Sequence, residues 1–397
     1  MVNSSHTPES GLPIGFLSLE PFVALSRTAI DHPFWNEKRF SIVYQLIKAL
    51  NLYNSPKISL FEPREATDEE LRLFHSEEYI STLKELSEEG LGWNAQFGFG
   101  TGDCPIFPKV HECSSMLVGG QLEIINALLR GEIQHGVALF GGLHHAHRSQ
   151  ASGFCYYNDP VISIKQALSQ RPDWRVLYLD VDCHHGDGVQ AAFYDSPQVL
   201  TVSFHESGHF LYPGTGFIDE IGEGTGSGYS INVPLPPYCD DSLYSEIFNE
   251  VIPSIFQLFQ PDFIYLQAGT DTHFSDPITH LRLTNNLYRH TVTTIHELAH
   301  KHAEGRLFLA GGGGYNPDST ARAWALMTLI LAEISPPEKI PRSWIDYCHE
   351  EWGEQVHEYL MDDHLSQELP TELQDYPDRV LKALKELAFS KIQKNIA

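Results

Sequence analysis

An apolar run that ends in a crowd of ionisable groups constrains this chain more than any other stretch. It reads Leu177-Tyr178-Leu179-Asp180-Val181-Asp182-Cys183-His184-His185-Gly186-Asp187-Gly188. Residues 175–181 have the length and apolar character of a strand buried on both faces, as in the middle of a parallel sheet. Gly186 and Gly188 allow a tight turn, and residues 189–193 begin a helix. In open α/β sheets, ligands bind at such strand ends. Ionisable groups crowded there are costly unless something binds them. Asp182 and His184 stand two positions apart, so in extended chain they point to one side. A carboxylate and an imidazole on one side suit a divalent metal such as zinc. A helix-capping aspartate cluster without metal accounts for an isolated Asp-x-Asp-x-His about as well, so the rest of the chain must decide.

Apolar runs and helical patterns alternate along the whole sequence. Strands are expected near residues 16–19, 136–140, 199–204, 229–233, 263–267 and 307–310. Helices are expected over 37–50, from a capping box at Thr67 and Glu70, from Ser76 to about 86, and over 111–130, 161–168, 242–259, 284–303, 320–334 and 377–393. Residues 90–109 form a long glycine-bearing loop, and loops of that length in compact domains are often functional. The alternation predicts one α/β domain with a central, mostly parallel sheet flanked by helices. Residues 1–12 read as a flexible tail and 13–397 as the domain, with its motif-bearing core in 137–334 and a helical extension in 335–397.

A net charge of −26 argues against nucleic acid as a direct partner, because phosphates would be repelled. It is compatible with a basic peptide, although solubility alone also accounts for it. The six cysteines form no Cys-x-x-Cys pair, as expected of free thiols in a reducing compartment. The N-terminal residues lack the pattern of a secretory signal, and no apolar stretch reaches the roughly 18 residues of a membrane helix. The expectation is a soluble, cytoplasmic protein, unless the acidic C-terminal region carries a delivery signal.

Four expected strands end in chemically loaded loops. The first delivers His144 and His145, the second Asp182, His184 and Asp187, the third Asp271 and the fourth Tyr315 after Gly311 to Gly314. In a parallel sheet these ends share one edge, so the residues can converge. Each has a bland explanation singly, as a turn, a cap or a buried aromatic. Four together make that account hard to hold.

These residues carry a resemblance. Gly142-Leu143-His144-His145-Ala146, Ala151-Ser152-Gly153-Phe154-Cys155-Tyr156-Tyr157-Asn158-Asp159, the stretch from Asp180 to Gly188, Tyr212-Pro213-Gly214-Thr215-Gly216 and Gly311 to Tyr315 are similar, in order and spacing, to the zinc-dependent histone deacetylase family. The likeness covers residues 15–334. Tyr212 to Gly216 and Asp276-Pro277-Ile278-Thr279-His280-Leu281 look closest to bacterial acetoin-utilisation-type members and class I enzymes. The resemblance implies an arginase-like α/β fold and hydrolysis of acetyl-lysine side chains on protein or peptide substrates.

It also implies roles. Zinc would be held by Asp182, His184 and Asp271, leaving positions for water and substrate. His144 would pair with Asp180 and His145 with Asp187. His145 would be general base and then acid, His144 mainly electrostatic, and Tyr315 the donor to the developing oxyanion. Gly153, Phe154 and Tyr212 would line a substrate tunnel, with Tyr212 departing from the usual phenylalanine. A structural potassium ion is implied at Asp180, Asp182, His184, Ser203 and Phe204. A second is implied at Phe193, Ser196, Val199 and Tyr229. Arg39 matches an arginine near the proposed acetate exit. Thr270 replaces a small residue, no acidic residue of the 90–103 loop aligns with the one that grips the substrate backbone, and His147 and His185 match no ligand. The alternatives are a deacetylase of small acetylated amines such as acetyl-polyamines, an arginase-like manganese ureohydrolase, or a binding protein without catalysis. The last two fit poorly with His144, His145, Tyr315 and all three metal ligands being present.

Overall fold

The computed structural model describes residues 11–29, 32–363 and 370–396. Among them, eight strands form one sheet. They are β1 (Ile14–Leu17), β2 (Ile58–Phe61), β3 (His135–Ala138), β4 (Val176–Asp180), β5 (Val199–Glu206), β6 (Ser230–Leu235), β7 (Phe263–Gln267) and β8 (Leu307–Ala310). Their order is β2-β1-β3-β8-β7-β4-β5-β6, and every pair is parallel. The expected α/β architecture is therefore present. The run that opened the sequence reading is the strand β4, between β7 and β5, with all five of its residues buried. Helices cover both faces, which is why the strands read as continuous apolar runs rather than alternating ones.

The register sets up the chemistry. Asp180 is level with Gln267 on one side and Ser203 on the other, Gln267 with Ala310, and Ala310 with Ala138. The strands β3, β8, β7 and β4 thus stop in one row, and β5 runs past it to Glu206. The loops that follow β3, β8, β7, β4 and β5 leave the same edge, next to each other.

Most helix starts carry the expected caps. Thr67 and Glu70 form the reciprocal capping box, and Ser76 accepts the Tyr79 N–H. The helix Pro317–Leu331 begins three residues before the sequence pattern does, because Asn316 caps it and Pro317 occupies its first turn. Three elements escaped the pattern. The strand β2 is short and lies at the sheet edge, only partly buried. The helix Glu20–Ser26 has two fully buried residues, Phe22 and Ser26. The helix Arg342–Trp352 sits in what reads as a polar, proline-bearing segment. Only Trp344 and Cys348 are buried, one turn apart, and the Trp344 indole donates to the Ile42 carbonyl at 2.9 Å. The expected last helix is there, running from Tyr376 to Ile396 with one wider turn at Lys385–Phe389. No helix among the described residues is long and apolar enough to cross a membrane. Of the expected tail, residues 1–10 lie outside the described residues, and Gly11 and Leu12 are exposed.

The C-terminal segment is tied to the core through Asp362. Its carboxylate meets Arg322 Nη1 at 2.8 Å and His273 Nε2 at 2.9 Å, and accepts the Asn285 N–H at 2.8 Å. Burial alone would raise its pKa, but the His273 hydrogen bond and the Arg322 charge hold it well below the usual carboxylate range. Asp362 therefore packs, and His364 beyond it lies outside the described residues. His273 is two residues from Asp271, so this clamp braces the loop that bears a candidate ligand. Asp362→Ala would leave Asp318, at 3.0 Å, as the remaining carboxylate on the buried Arg322 guanidinium and is expected to lower stability in urea unfolding at neutral pH. Because the folded-state pKa is depressed, the difference should shrink as pH falls below the ordinary carboxylate range.

Candidate metal centre and active site

The end of β4 brings Asp182 and His184, and the end of β7 brings Asp271. His184 Nδ1 lies 3.0 Å from Asp182 Oδ1 and 3.1 Å from Asp271 Oδ2. Both carboxylates are almost wholly buried. Asp182 Oδ2 accepts the Gly313 N–H and Asp271 Oδ1 the Cys183 N–H, both at 2.8 Å, and Asp182 Oδ1 accepts the His184 N–H at 3.0 Å. Asp271 Oδ2 has no hydrogen-bond partner. A buried carboxylate oxygen left unpaired costs free energy. Burial and the neighbouring Asp182 charge raise the Asp271 pKa, whereas His144 and His184 outweigh burial and lower that of Asp182. Two buried carboxylates and an imidazole nitrogen on one point match the donor set of an open divalent-metal site. Cys183 lies beside them, but burial and both aspartates keep its sulfur a neutral thiol.

The glycine run has a steric cause. A Cβ at Gly313 would overlap Asp271 Oδ2, and one at Gly312 would stand 2.8 Å from Asp182 Oδ2. Gly312 also has φ +140°, a region that side-chain-bearing residues avoid. The backbone after β8 can close on the carboxylates only without side chains there. Arg39, buried from the helix Glu37–Ala49, holds that backbone from behind. Its Nε and Nη2 donate to the carbonyls of Gly314 and Gly312 at 2.7 Å each, and its guanidinium lies over Phe34 and Trp324.

The loop after β3 carries two carboxylate–imidazole pairs. His144 Nδ1 lies 2.8 Å from Asp180 Oδ2, and His145 Nδ1 lies 2.7 Å from Asp187 Oδ1. Their Nε2 atoms face each other at 3.1 Å. Two facing nitrogens at that separation cannot both carry protons. Burial would lower both, but Asp180 and Asp182 outweigh it for His144 and raise its pKa to about 9. For His145, burial and the His144 charge outweigh Asp187 and bring it to about 4. The pair therefore holds one proton-bearing and one proton-accepting Nε2. His147 reaches the far oxygen of Asp187 at 3.3 Å. His185 turns away from the cavity, bonded to Thr215 and Gln190.

Sequence reasoning left Asn158 and Asp159 without a role, although both stand in a quoted motif. The Asp159 carboxylate accepts the N–H groups of Gly142 and Leu143 at 2.7 and 2.8 Å, and Asn158 Nδ2 donates to the carbonyls of His144 and Ala146. They hold the histidine loop in place. Asp103 was also missed; it accepts the Gly153 N–H at 2.6 Å. Its signal was an aspartate at the end of the long 90–103 loop.

His144, His145, Asp182, His184, Gly153 and Tyr315 line one cavity of about 20 Å³. Residues from the ends of β3, β4 and β8 thus line one cavity, and Asp271 from the end of β7 joins them through His184 Nδ1 at 3.1 Å. Phe154 and Tyr212 flank it. The Phe154 ring centroid is 6.1 Å from that of Tyr315, the Tyr212 centroid is 5.1 Å from His145, and Tyr212 is 41% exposed, as a rim residue should be. The Tyr212 hydroxyl bonds to Ser152 Oγ. Tyr315 is positioned by its own N–H, which donates to Asp276 at 2.7 Å, and burial next to Asp271 and Asp182 pushes its phenol well above the usual pKa. Ser203 and Phe204 lie beside Asp180 on β5. Phe193, Ser196, Val199 and Tyr229 gather at the opposite end of β5. There the Phe193 carbonyl accepts the Ser196 N–H and the Tyr229 carbonyl accepts the Thr201 N–H, each at 3.0 Å.

Two buried carboxylates and an imidazole, two oriented histidines and a tyrosine thus gather at the carboxyl end of a parallel sheet, an arrangement suited to metal-assisted hydrolysis. Comparison with known proteins agrees. Residues 32–331 match the histone deacetylase domain. The acetoin utilization protein AcuC of Bacillus subtilis is 42% identical over 322 residues, covering 79% of this chain and 81% of that protein. AcuC of Staphylococcus xylosus is 37% identical over 323 residues, 80% of this chain and 83% of its own. The crystal structure of an HDAC homolog from Aquifex aeolicus superposes with a TM-score of 0.82 at 31% identity, covering 93% of this chain and 99% of the other. An HDAC homolog complexed with SAHA gives the same TM-score at 32% identity, covering 94% and 100%. The chain belongs to the histone deacetylase family. Within that family its relatives are of the acetoin-utilisation type.

Proposed function

We propose that this chain is a zinc-dependent deacetylase that hydrolyses the acetyl group from lysine side chains of proteins. The observation that carries the reading is the cavity shared by His144, His145, Asp182, His184 and Tyr315, with Asp271 Oδ2 behind it, 3.1 Å from His184 Nδ1. When bound by Asp182, His184 and Asp271, zinc polarises the acetyl carbonyl and lowers the pKa of water towards ~7. Nε2 of His145, neutral through burial, takes a proton from the attacking water and later passes one to the leaving lysine amine. Acetate and free amine are the products. His144, held by Asp180, keeps positive charge beside the developing anion. The Tyr315 hydroxyl, kept protonated by its burial, donates a hydrogen bond to the carbonyl oxygen as charge builds there. Phe154 and Tyr212 hold the lysine methylenes. Asp103, anchored at the rim, offers a carboxylate to the backbone N–H groups of a peptide.

Support for a protein substrate comes from the rim. Phe210, Tyr212 and Phe274 are exposed on loops that follow β5 and β7, where a peptide would cover them. The net charge of −26 suits a basic peptide and disfavours nucleic acid. A structural potassium ion next to Asp180 and Ser203, and a second near Phe193 and Tyr229, belong to the same reading. Six unpaired, buried cysteines fit a cytoplasmic location. The test is turnover of acetyl-lysine peptides beside acetyl-polyamines. Preference for the peptides supports the proposal, and preference for the polyamines overturns its substrate. Tyr315→Phe is expected to lower kcat by a factor corresponding to about 2.7–4 kcal/mol, with metal content unchanged. Undiminished kcat would remove the tyrosine from the mechanism.

A further inference from the structure

β3 carries chemistry at both ends. At its carboxyl end it feeds the His144–His145 loop. At its amino end stands His135, and the helix Asn285–His302 brings His296 and His300, one turn apart, against it. His135 Nε2 lies 3.0 Å from His296 Nε2, which lies 3.0 Å from His300 Nε2. The three rings meet nearly edge to face, with centroids 4.6–5.0 Å apart. His135 is buried, His296 half-buried and His300 exposed.

Hydrogen bonding alone leaves this group frustrated. The central Nε2 of His296 faces a nitrogen on each side. A neutral imidazole nitrogen has either one proton or one lone pair, so it cannot make a full hydrogen bond to both neighbours. A cation between the rings would take all three lone pairs at once. The surroundings favour one. The Glu333 and Glu297 carboxylates act on His296.

We propose that His135, His296 and His300 form a second metal site, for an imidazole-preferring divalent ion such as zinc, remote from the catalytic slot. Three nitrogens with a solvent-facing fourth position are an accepted donor set for Zn²⁺, Cu²⁺ or Ni²⁺. An oxygen-preferring ion such as Mg²⁺ or Ca²⁺ is excluded by the same donors. The ion would staple the amino end of β3 to the helix that follows the Asp271 loop. The site does not rest on the reading of the catalytic slot.

The experiment is metal analysis of the full chain after chelation and dialysis against micromolar Zn²⁺. A millimolar excess of Ca²⁺ keeps exposed carboxylates from contributing. Two equivalents of zinc are expected for the wild-type chain and one for H300A and for H296Q, with acetyl-peptide turnover at saturating zinc unchanged. In D271N, whose catalytic site is disabled, one equivalent should remain and should vanish when H300A is added. His300 is exposed, so H300A should fold, and its circular dichroism checks this. A single equivalent in the wild-type chain that D271N removes, or two equivalents persisting in H300A, would overturn the proposal. Cobalt offers a second readout. A visible band that persists in D271N and disappears in D271N/H300A places the ion on these histidines; its persistence in the double variant refutes them.

Discussion

Asp271→Asn is expected to abolish turnover on acetyl-lysine peptides and to weaken metal binding in the slot by more than the ~10–100-fold typical of losing an outer-shell partner. The substitution keeps the shape of the side chain and removes its charge. Asp271 Oδ2 is the oxygen that faces His184 Nδ1 without a hydrogen-bond partner, so it is the atom most available to a cation. An amide there is a poor ligand for zinc. The same change should stabilise the metal-free protein. Burial and Asp182 both oppose ionisation of Asp271, and an uncharged side chain removes that conflict. Thermal unfolding with chelator present should therefore show a higher midpoint for Asp271→Asn than for wild type, whereas saturating zinc should reverse the order. An equal response of the two proteins to zinc would mean that the ion sits elsewhere.

How far the sequence could be read depended on whether one segment carried its own signal. β4, β7 and β8 were legible because strands buried on both faces are apolar throughout, and their glycine- or aspartate-rich ends marked where they stop. The convergence of Asp182, His184, Asp271 and Tyr315 followed from the parallel sheet, since a shared edge needs no knowledge of strand order. The order itself, with β8 between β3 and β7, was not legible, because nothing local in Leu307–Ala310 names its neighbours. Edge elements failed for the opposite reason. β2 is half-exposed, and the helix Arg342–Trp352 shows a polar face with only two buried residues, so neither has a long apolar signature. Asp159 is a different case. Its sequence position at a helix start suggests a cap, yet its carboxylate reaches back to Gly142 and Leu143. Only the packed structure brings those residues, some 16 positions apart, together. The cluster of His135, His296 and His300 was invisible for the same reason.

His145→Ala is expected to cut kcat by about 10²–10⁴-fold with zinc content unchanged, because His145 touches Asp187 and His144 but none of the three proposed metal ligands by hydrogen bond. The pH profile distinguishes its role from that of His144. In the wild-type chain His145 is depressed to about 4, so the base stays neutral as pH falls below the ordinary histidine value. The acidic limb of kcat/KM should therefore lie below the value of ~6.5 expected for a free imidazole. One cause of that depression, after burial, is the positive charge on His144. Removing it in His144→Ala lets the His145 pKa rise, so the acidic limb should move to higher pH as kcat falls. The two limbs belong to the histidine pair as a unit, given Nε2 atoms 3.1 Å apart. A shift in the opposite direction, or a profile in His144→Ala that coincides with wild type, would show that His145 does not sense its neighbour and that another group takes the proton from water.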